Sequence, residues 1–407
     1  MPTNYPSILP GTAVLDILSA PNLTGVIQKY KSGIFDPFPA DVYKTGPKGR
    51  VHGNQGRFTQ WYGQRQVAAI SQYGAPSVNV NMQPRGIKDV VLMHVAKNMQ
   101  LTATQYNSLF KPDSFEIQQQ GLVEIVDQVK EFKQIFSNLR IAATGMALFQ
   151  GTVVFDVNGN LLAPGAAVPT NGTEIFYEIP GTTSISGSTG VTVTPYISTV
   201  GQQTGTGIDP FGTGTPILGS AAGSWANNAT AIDSQINALL RASVQLTGFE
   251  IKHAFYGLNI PHYLRTNPTT QYYMARTPDY NPKMIQKISQ IPPGTLGIEN
   301  WHSCQELYFY DQGYIKQQIA GDNQIVFTAE FDGNWWEMME GSVTIPKGTA
   351  ILGGDSAEAM VGMTEEAYGR CAYSTMTVDP VQLKIVAHDT FLPAIKNPQC
   401  IFISTVA

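Results

Sequence analysis

Charge is what this sequence has least of. Asp, Glu, Lys and Arg make up 14% of its 407 residues, against about 25% in an average soluble protein. A surface so thin in charge is easy to desolvate, so much of it is expected to lie against other subunits. Cysteine is nearly absent as well. Cys304, Cys371 and Cys400 are far apart, odd in number and in no CxxC pair, which points to neither a disulfide framework nor a zinc site. No uninterrupted apolar run reaches about 18 residues, so no membrane-spanning helix is expected. The opening MPTNYPSILPG has no basic region ahead of an apolar run, so no signal peptide is expected. Without secretion the Asn-x-Thr triplets at Asn22, Asn171 and Asn228 carry no meaning. The expectation is a soluble protein, intracellular when made.

Catalytic signatures are missing too. Phosphate loops, Rossmann glycines, HExxH and the GxSxG elbow do not occur in their required contexts. Gly205-Thr206-Gly207 has no helix signal after it. His302 and Cys304 offer two metal ligands, whereas structural zinc needs four and a catalytic site three. The run Asp355, Glu358, Glu365 and Glu366 reads as a solvated face, and Trp335-Trp336 with Met338-Met339 as packing. The expectation is therefore no enzyme, no cofactor and no metal.

Charge of one sign is also missing from two stretches. Between Val42 and Lys88 there is no acid, but there are seven bases: Lys44, Lys48, Arg50, Arg57, Arg65, Arg85 and Lys88. The net charge of −5 thus hides a remainder of −12. From Ile141 to Leu240 there is no Lys or Arg, while Asp156, Glu174, Glu178, Asp209 and Asp233 are present. Such asymmetry suits head-to-tail contact between copies as well as any outside ligand.

What the sequence does have is one long helical pattern, Pro112 to Gly151. Leu122, Ile125, Val126, Val129, Phe132, Phe136, Leu139, Ala143 and Met146 recur at steps of three and four along one face. Glu124, Asp127, Lys130, Glu131 and Lys133 take the other face, with Asp127 and Lys130 able to meet. Pro112-Asp113-Ser114 supplies the start, and Gly145 and Gly151 weaken and then end it. Its length suits a spine for an extended subunit, or a core helix in a large domain.

The other segments arrange themselves around that spine. Residues 1–43 read as an arm, with short helical patterns at Ala13–Leu18 and Leu23–Lys31 and an extended FDPFPADVY. Residues 44–88 read as a long two-stranded excursion with a glycine-rich middle, in which Phe58, Trp61 and Tyr62 interleave with the bases and Val67–Ile70 and Val78–Met82 look like strands. Basic and aromatic residues together fit nucleic acid, or a loop lying over a neighbouring subunit; the second reading is favoured. Ile87–Ala96 is an apolar strand returning to the core, with His94 as a satisfied core histidine, and Val153–Leu162 a strand-turn around Asn158-Gly159. Gly159–Ser220 holds twelve glycines and twelve threonines in 62 residues, with β-branched patches at Glu174–Ile179 and Val191–Val200. It reads as an exposed β-rich elaboration or a linker. A second helix, Ala231–Val244, places Ile232, Ile236, Leu239, Leu240 and Val244 on one face. After it come a strand then loop at Ala254–Tyr263, a short helix at Asn281–Ile291, and strands at Thr295–Glu299, Glu306–Tyr310, Gln324–Phe331, Gly341–Thr344 and Thr349–Leu352. Val381–Ala387 and Cys400–Val406 read as an antiparallel pair closing the fold. The class is α+β without a βαβ repeat.

This order of parts resembles the major capsid protein of tailed phages, the lambda-type family with the Hong Kong 97-type fold. The likeness is best at Leu139–Leu162 (LRIAATGMALFQGTVVFDVNGNLL), Gly348–Arg370 (GTAILGGDSAEAMVGMTEEAYGR) and Val381–Ala407. The departure is Gly159–Ser220, longer than the family pattern between spine and next helix. The resemblance implies an N-terminal arm at 1–43, an extended β loop at 44–88 and a peripheral domain with the spine at 89–158. It further implies a Gly/Thr-rich β insertion at 159–222, an axial domain at 223–373 and C-terminal strands returning to the core at 374–407. Copies would assemble into pentamers and hexamers of an icosahedral virion shell enclosing double-stranded DNA without sequence-specific binding. The implied partners are a scaffolding protein, a portal and a cementing or decoration protein, with synthesis in the host bacterial cytoplasm. Lys44, Lys48, Arg50, Arg57, Trp61, Tyr62, Arg65 and Arg85 are the expected inter-subunit contacts of the loop. The rival readings are a β-rich receptor- or glycan-binding virion protein, for which the Gly/Thr-rich segment argues, and an enzyme with an unmarked site.

Overall fold

The computed structural model describes residues 19–30, 33–46, 48–61, 85–101, 115–156, 160–177, 179, 191–192, 202–204, 207–209, 215–271, 291–311, 314–346, 350–352, 364–378 and 381–407. Helices and strands are mixed, and antiparallel pairing dominates.

The long pattern is a single helix, Phe115–Gln150, of 36 residues, or ~54 Å at the usual rise. Ile125, Val129, Phe132 and Phe136 are buried against the short helix Ala20–Lys29 and a large sheet, while Glu124, Asp127 and Glu131 stay in water. Asp127 and Lys130 meet at 2.6 Å. From Arg140 to Phe149 every residue is buried, so amphipathicity gives way to full enclosure. Gly145 sits inside that stretch, and the helix runs on through it. A Cβ there would lie 2.8 Å from Leu307 Cδ2, so glycine permits a close approach of the 307–319 hairpin. Gly151, at φ 69°, ends the helix in the left-handed conformation.

The large sheet holds seven strands among the described residues. Its path runs Arg50–Val51, Trp336–Pro346, Val381–Ile395, Cys371–Val378, Ala350–Leu352; Thr364–Tyr368 also pairs with Trp336–Pro346, and Met93–Gln100 with Val381–Ile395. A four-stranded sheet runs Asn300–Ser303, Ile251–Tyr256, Gln324–Ala329, Ile401–Thr405. Alternation sends Phe255, Val326, Ile401 and Ile403 into the main core with the spine's C-terminal end. Ala254, Tyr256, Ile325, Phe327 and Phe402 face the second core, beneath the helix Ile232–Thr247. Burial on both faces is why these strands read as continuous apolar runs. Trp335, Trp336, Met338 and Met339 are packed in the main core, as their sequence suggests.

Several sequence expectations need correction. Ile87–Ala96 is not one strand: Arg85–Val91 belongs to a hairpin and Met93–Gln100 to the large sheet, with buried Leu92 at the switch. The C-terminal segments do not pair with each other. Val381–Ile395 is a 15-residue strand of the large sheet, and Ile401–Thr405 pairs with Gln324–Ala329. The Gly/Thr-rich stretch is not wholly exposed. Thr173–Phe176 pairs with Thr152–Phe155, its Ile175 joins the main core with Tyr177 and Ile179, and Ile208 and Leu218 join the second. The loop after Tyr256 contains a helix, Ile260–Thr266, and Thr295–Gly297 is a 3-10 turn with Leu296 at φ 55°, the strand following at Asn300. FDPFPADVY likewise ends in a 3-10 turn, Ala40–Tyr43. The expected elements at Ala13–Leu18, Val67–Ile70 and Val78–Met82, nearly all of Asn281–Ile291, and the acids Asp355 and Glu358 lie outside the described residues.

Candidate interaction surface

The basic stretch forms an antiparallel hairpin stem. Gln55–Trp61 pairs with Arg85–Val91 in the register Gln55↔Val91, Arg57↔Asp89, Thr59↔Ile87 and Trp61↔Arg85. Period-two alternation gives the ribbon two unlike faces. The inner face carries Gly56, Phe58, Gln60, Gly86, Lys88 and Val90, all buried. Gly56 allows the close approach, since a Cβ would meet Met339 Cε at 2.6 Å. Gln60 Nε2 donates to the Tyr177 carbonyl at 2.7 Å, and Lys88 Nζ to that of Phe176 at 3.2 Å. The stem is therefore seated on the main core by its inner face.

The outer face is of a different kind. Ile87 is 65% exposed and Val91 40%, with the Arg57–Asp89 pair between them. Arg57 Nε lies 2.5 Å from Asp89 Oδ1 and Nη2 3.2 Å from Oδ2, a two-pronged contact in open water. The hydrogen bond and charge of Asp89 raise the guanidinium's pKa, and Arg57 lowers that of Asp89. Asp89 stands one residue past the acid-free stretch, and strand register alone brings it opposite Arg57.

The remaining expected contact residues are dispersed. Lys44 pairs with Asp41 at 2.6 Å, both in solvent. The Arg50 guanidinium sits 5.7 Å from the Tyr368 ring centroid. Lys48, Arg57 and Trp61 come together around a cavity of about 570 Å³ at the hairpin's foot, with Phe249, Glu337 and Lys396 across it. Lys396 Nζ reaches Glu337 at 2.9 Å, and Trp61 N–H donates to the Lys396 carbonyl at 2.8 Å. Arg85 pairs by its backbone with Trp61. Tyr62 and Arg65 lie outside the described residues.

The spine presents a second exposed face. Val123, Asp127, Glu131 and Ile135 follow one another at four-residue steps and all are exposed, Val123 and Ile135 each at 41%. Two aliphatic ends thus flank two acids on one outward stripe.

The three cysteines are all buried. Burial pushes the Cys371 thiol up to about 12 and raises Cys304 and Cys400 as well, so all three stay protonated. His302 Nε2 lies 3.0 Å from His253 Nδ1. Among the described residues no group of three or more His, Cys, Asp or Glu is placed to hold a metal, and no helix is long and apolar enough to cross a membrane. His94 is half-buried, with Nδ1 2.7 Å from Thr390 Oγ1.

No family model matches the sequence, and no curated protein matches it. Solved structures do resemble it. A phage-related protein from Bordetella bronchiseptica RB50 is similar over 96% of this chain and 98% of its own, with 8% identity and a TM-score of 0.47. A protein assigned as the capsid protein of an Escherichia coli CFT073 prophage is similar over 80% of each chain, with 10% identity and a TM-score of 0.43. The mature capsid of bacteriophage PhiM1 contains a chain similar over 92% of this one and 90% of its own, with 8% identity and a TM-score of 0.37.

Proposed function

We propose that this chain is the major capsid protein of a tailed phage, of the Hong Kong 97-type fold, and that it assembles with copies of itself into the pentamers and hexamers of an icosahedral shell around double-stranded DNA. The observation that carries the proposal is the pair of outward faces on one subunit, each with exposed aliphatics set among charges. The hairpin's outer face offers Ile87 and Val91 around a charged pair. The spine offers Val123 and Ile135 around two acids. Faces that combine exposed aliphatics with charge suit modest contacts between copies, and a closed shell needs many of these. The order of parts supports the same reading: arm, basic hairpin, 36-residue spine, second core, returning C-terminal strand.

In this reading residues 1–43 are the arm, 44–88 the extended loop, 89–158 the peripheral domain, 159–222 the insertion, 223–373 the axial domain and 374–407 the returning strands. Lys44, Lys48, Arg50, Arg57, Trp61, Tyr62, Arg65 and Arg85 contact a neighbouring copy. A scaffolding protein, a portal and a decoration protein are the further partners, and the DNA is enclosed without being read. The chain has no catalytic role and is made in the host cytoplasm. The receptor-binding alternative drew on the Gly/Thr-rich segment, and the burial of Ile175, Tyr177, Ile208 and Leu218 gives it no support. Negative-stain microscopy with sedimentation of the purified chain, alone and with its scaffold, is the test. Rings or shells with five- and six-fold clusters are expected. A strict monomer in every condition, or slender trimers, overturns the proposal.

A further inference from the structure

The short helix Ala20–Lys29, the spine and the large sheet meet at a charge cluster that is short of acid. Arg140 grips Asp389 through Nε at 2.9 Å and Nη2 at 2.5 Å, and its Nη1 reaches Glu340 at 3.0 Å. Arg370 Nε draws on the same Asp389 at 3.2 Å. Lys133, two turns before Arg140 on the spine, turns its Nζ toward the Gln28 carbonyl at 3.5 Å. Gln28 in turn donates from Nε2 to the Arg370 carbonyl at 3.2 Å. Both oxygens of Asp389 are thus taken by guanidiniums. Among the described residues no carboxylate lies within ion-pair distance of Lys133, and none but Asp389 within that distance of Arg370. Arg370 acts to lower the pKa of Asp36 from farther off, but Asp36 Oδ1 already accepts from Phe38 N–H and Tyr43 O–H, and Tyr43 is the other group that favours the Arg370 charge.

The electrostatics have the matching sign. Burial, then the charges of Arg370 and Arg140, push the Lys133 ammonium down to about 8, with Asp389 and Glu340 pulling back only in part. Burial and Arg140 lower Arg370 too. Lys133 and Arg370 both bond to Gln28, each is partly exposed, and neighbouring cations are stabilised by an anion that bridges them.

We infer that Lys133, Arg370 and Gln28 form an oxyanion-binding site, taking a sulfate- or phosphate-like group or a carboxylate. The guanidinium supplies a planar fork, the ammonium a point charge and the amide a neutral donor, which together suit a small oxyanion. An occupant would tie the short helix to the spine and to the turn at Gly369-Arg370. This inference does not depend on the shell reading.

The probe is inorganic sulfate at low millimolar concentration, too dilute for general salting effects, titrated calorimetrically into the full chain against chloride of equal ionic strength. Sulfate keeps its charge across the range, so any pH dependence belongs to the protein. Saturable binding is expected at pH 7, weakening about tenfold by pH 9.5 as Lys133 loses its proton. Lys133→Gln should bind at least about tenfold more weakly at pH 7 and lose that pH dependence, while melting normally in chloride. Lys130→Gln, one turn away and paired with Asp127, should bind as the parent does. Formate in place of sulfate separates the sources: binding of both admits a carboxylate from another chain, and binding of sulfate alone points to phosphate. No saturable binding of either ion, or unchanged affinity in Lys133→Gln, overturns the site.

Discussion

Arg140 and Asp389 are 249 residues apart in sequence and form a bidentate ion pair in the interior, with the aspartate side chain fully buried. Burial pulls the guanidinium's pKa down, but Asp389 and Glu340 outweigh it and hold Arg140 above its ordinary range. The Arg140 guanidinium also lies 4.9 Å from the Phe391 ring centroid. This pair ties the spine to the central strand of the large sheet. Removing Arg140 leaves the buried Asp389 with Arg370 alone, so Arg140→Met should cost about 3 kcal/mol in denaturant unfolding, the low end for a broken buried pair. A loss below about 1 kcal/mol would mean that water reaches the pair and that it does not hold the two elements together.

The two faces of the spine should respond very differently to truncation. Phe136 is fully buried, so Phe136→Ala should lose about 3–5 kcal/mol. Glu131 is exposed, and Glu131→Ala should stay within about 0.5 kcal/mol. Equal effects in a chemical melt would put the spine in a different rotation about its axis.

The spine, its buried face and its end at Gly151 were legible because a 3.6-residue period over ten turns leaves little else to form. Local signals failed where tertiary context decides. Gly145 looks like a breaker, but its missing Cβ is what admits Leu307. The closing strands look like a pair because both are apolar, yet each finds an earlier strand, and pairing partners leave no mark on one strand's own pattern. At the hairpin, acid-free composition suggested that its bases look outward for carboxylates. Lys44 and Arg57 also have acids in their own chain, Asp41 and Asp89, lying just beyond the two ends of the acid-free stretch. Lys133 reads as one more solvated lysine, and only the fold brings Arg370 beside it.

Acid should weaken the fold through its histidines. His302 beside His253, and His388 beside His94 and Tyr373, are both pushed down to about 4, first by burial and then by the neighbouring imidazole. Glu299 and Asp41 favour protonation of His253 while Lys252 opposes it, and Asp389 favours that of His94. An imidazole held neutral in the native state contributes stability in full above the unfolded value of about 6.5, and that stability is lost as pH falls towards 4. The melting temperature should therefore drop between pH 7 and pH 4.5. The double variant His302→Phe/His388→Phe should flatten that dependence, and a slope as steep as the parent's would assign the acid sensitivity to other groups.

Reinforcement by a covalent link to the loop is not expected. Lys44 and Lys48 stand at the hairpin's root, and no lysine lies between Lys48 and Lys88. Lys88, the next along the ribbon, has its Nζ on the Phe176 carbonyl on the buried face. Assembled particles boiled in detergent should run as one band near 44.2 kDa. A ladder of multimers resistant to boiling would overturn this expectation.

The hairpin's role in assembly can be separated from its own pairing. Arg57→Glu sets two carboxylates against each other across the ribbon, because Asp89 sits directly opposite, so a failure of that variant to assemble could come from a splayed stem. The swap Arg57→Glu/Asp89→Arg restores an opposite-charge pair in the same register, with no change in net charge. If Arg57 meets a neighbouring copy's carboxylate, the swap should fold and melt as the parent does yet still fail to form shells, because a glutamate now stands where the neighbour needs a cation. Asp127 and Glu131 on the spine's outward stripe are the described acids with aliphatic neighbours to match Ile87 and Val91. Adding Glu131→Lys to the swap should then recover part of the particle yield. Normal shells from the swap alone would show that the pair serves only its own hairpin, and shells that form but package no DNA would place the hairpin against the nucleic acid.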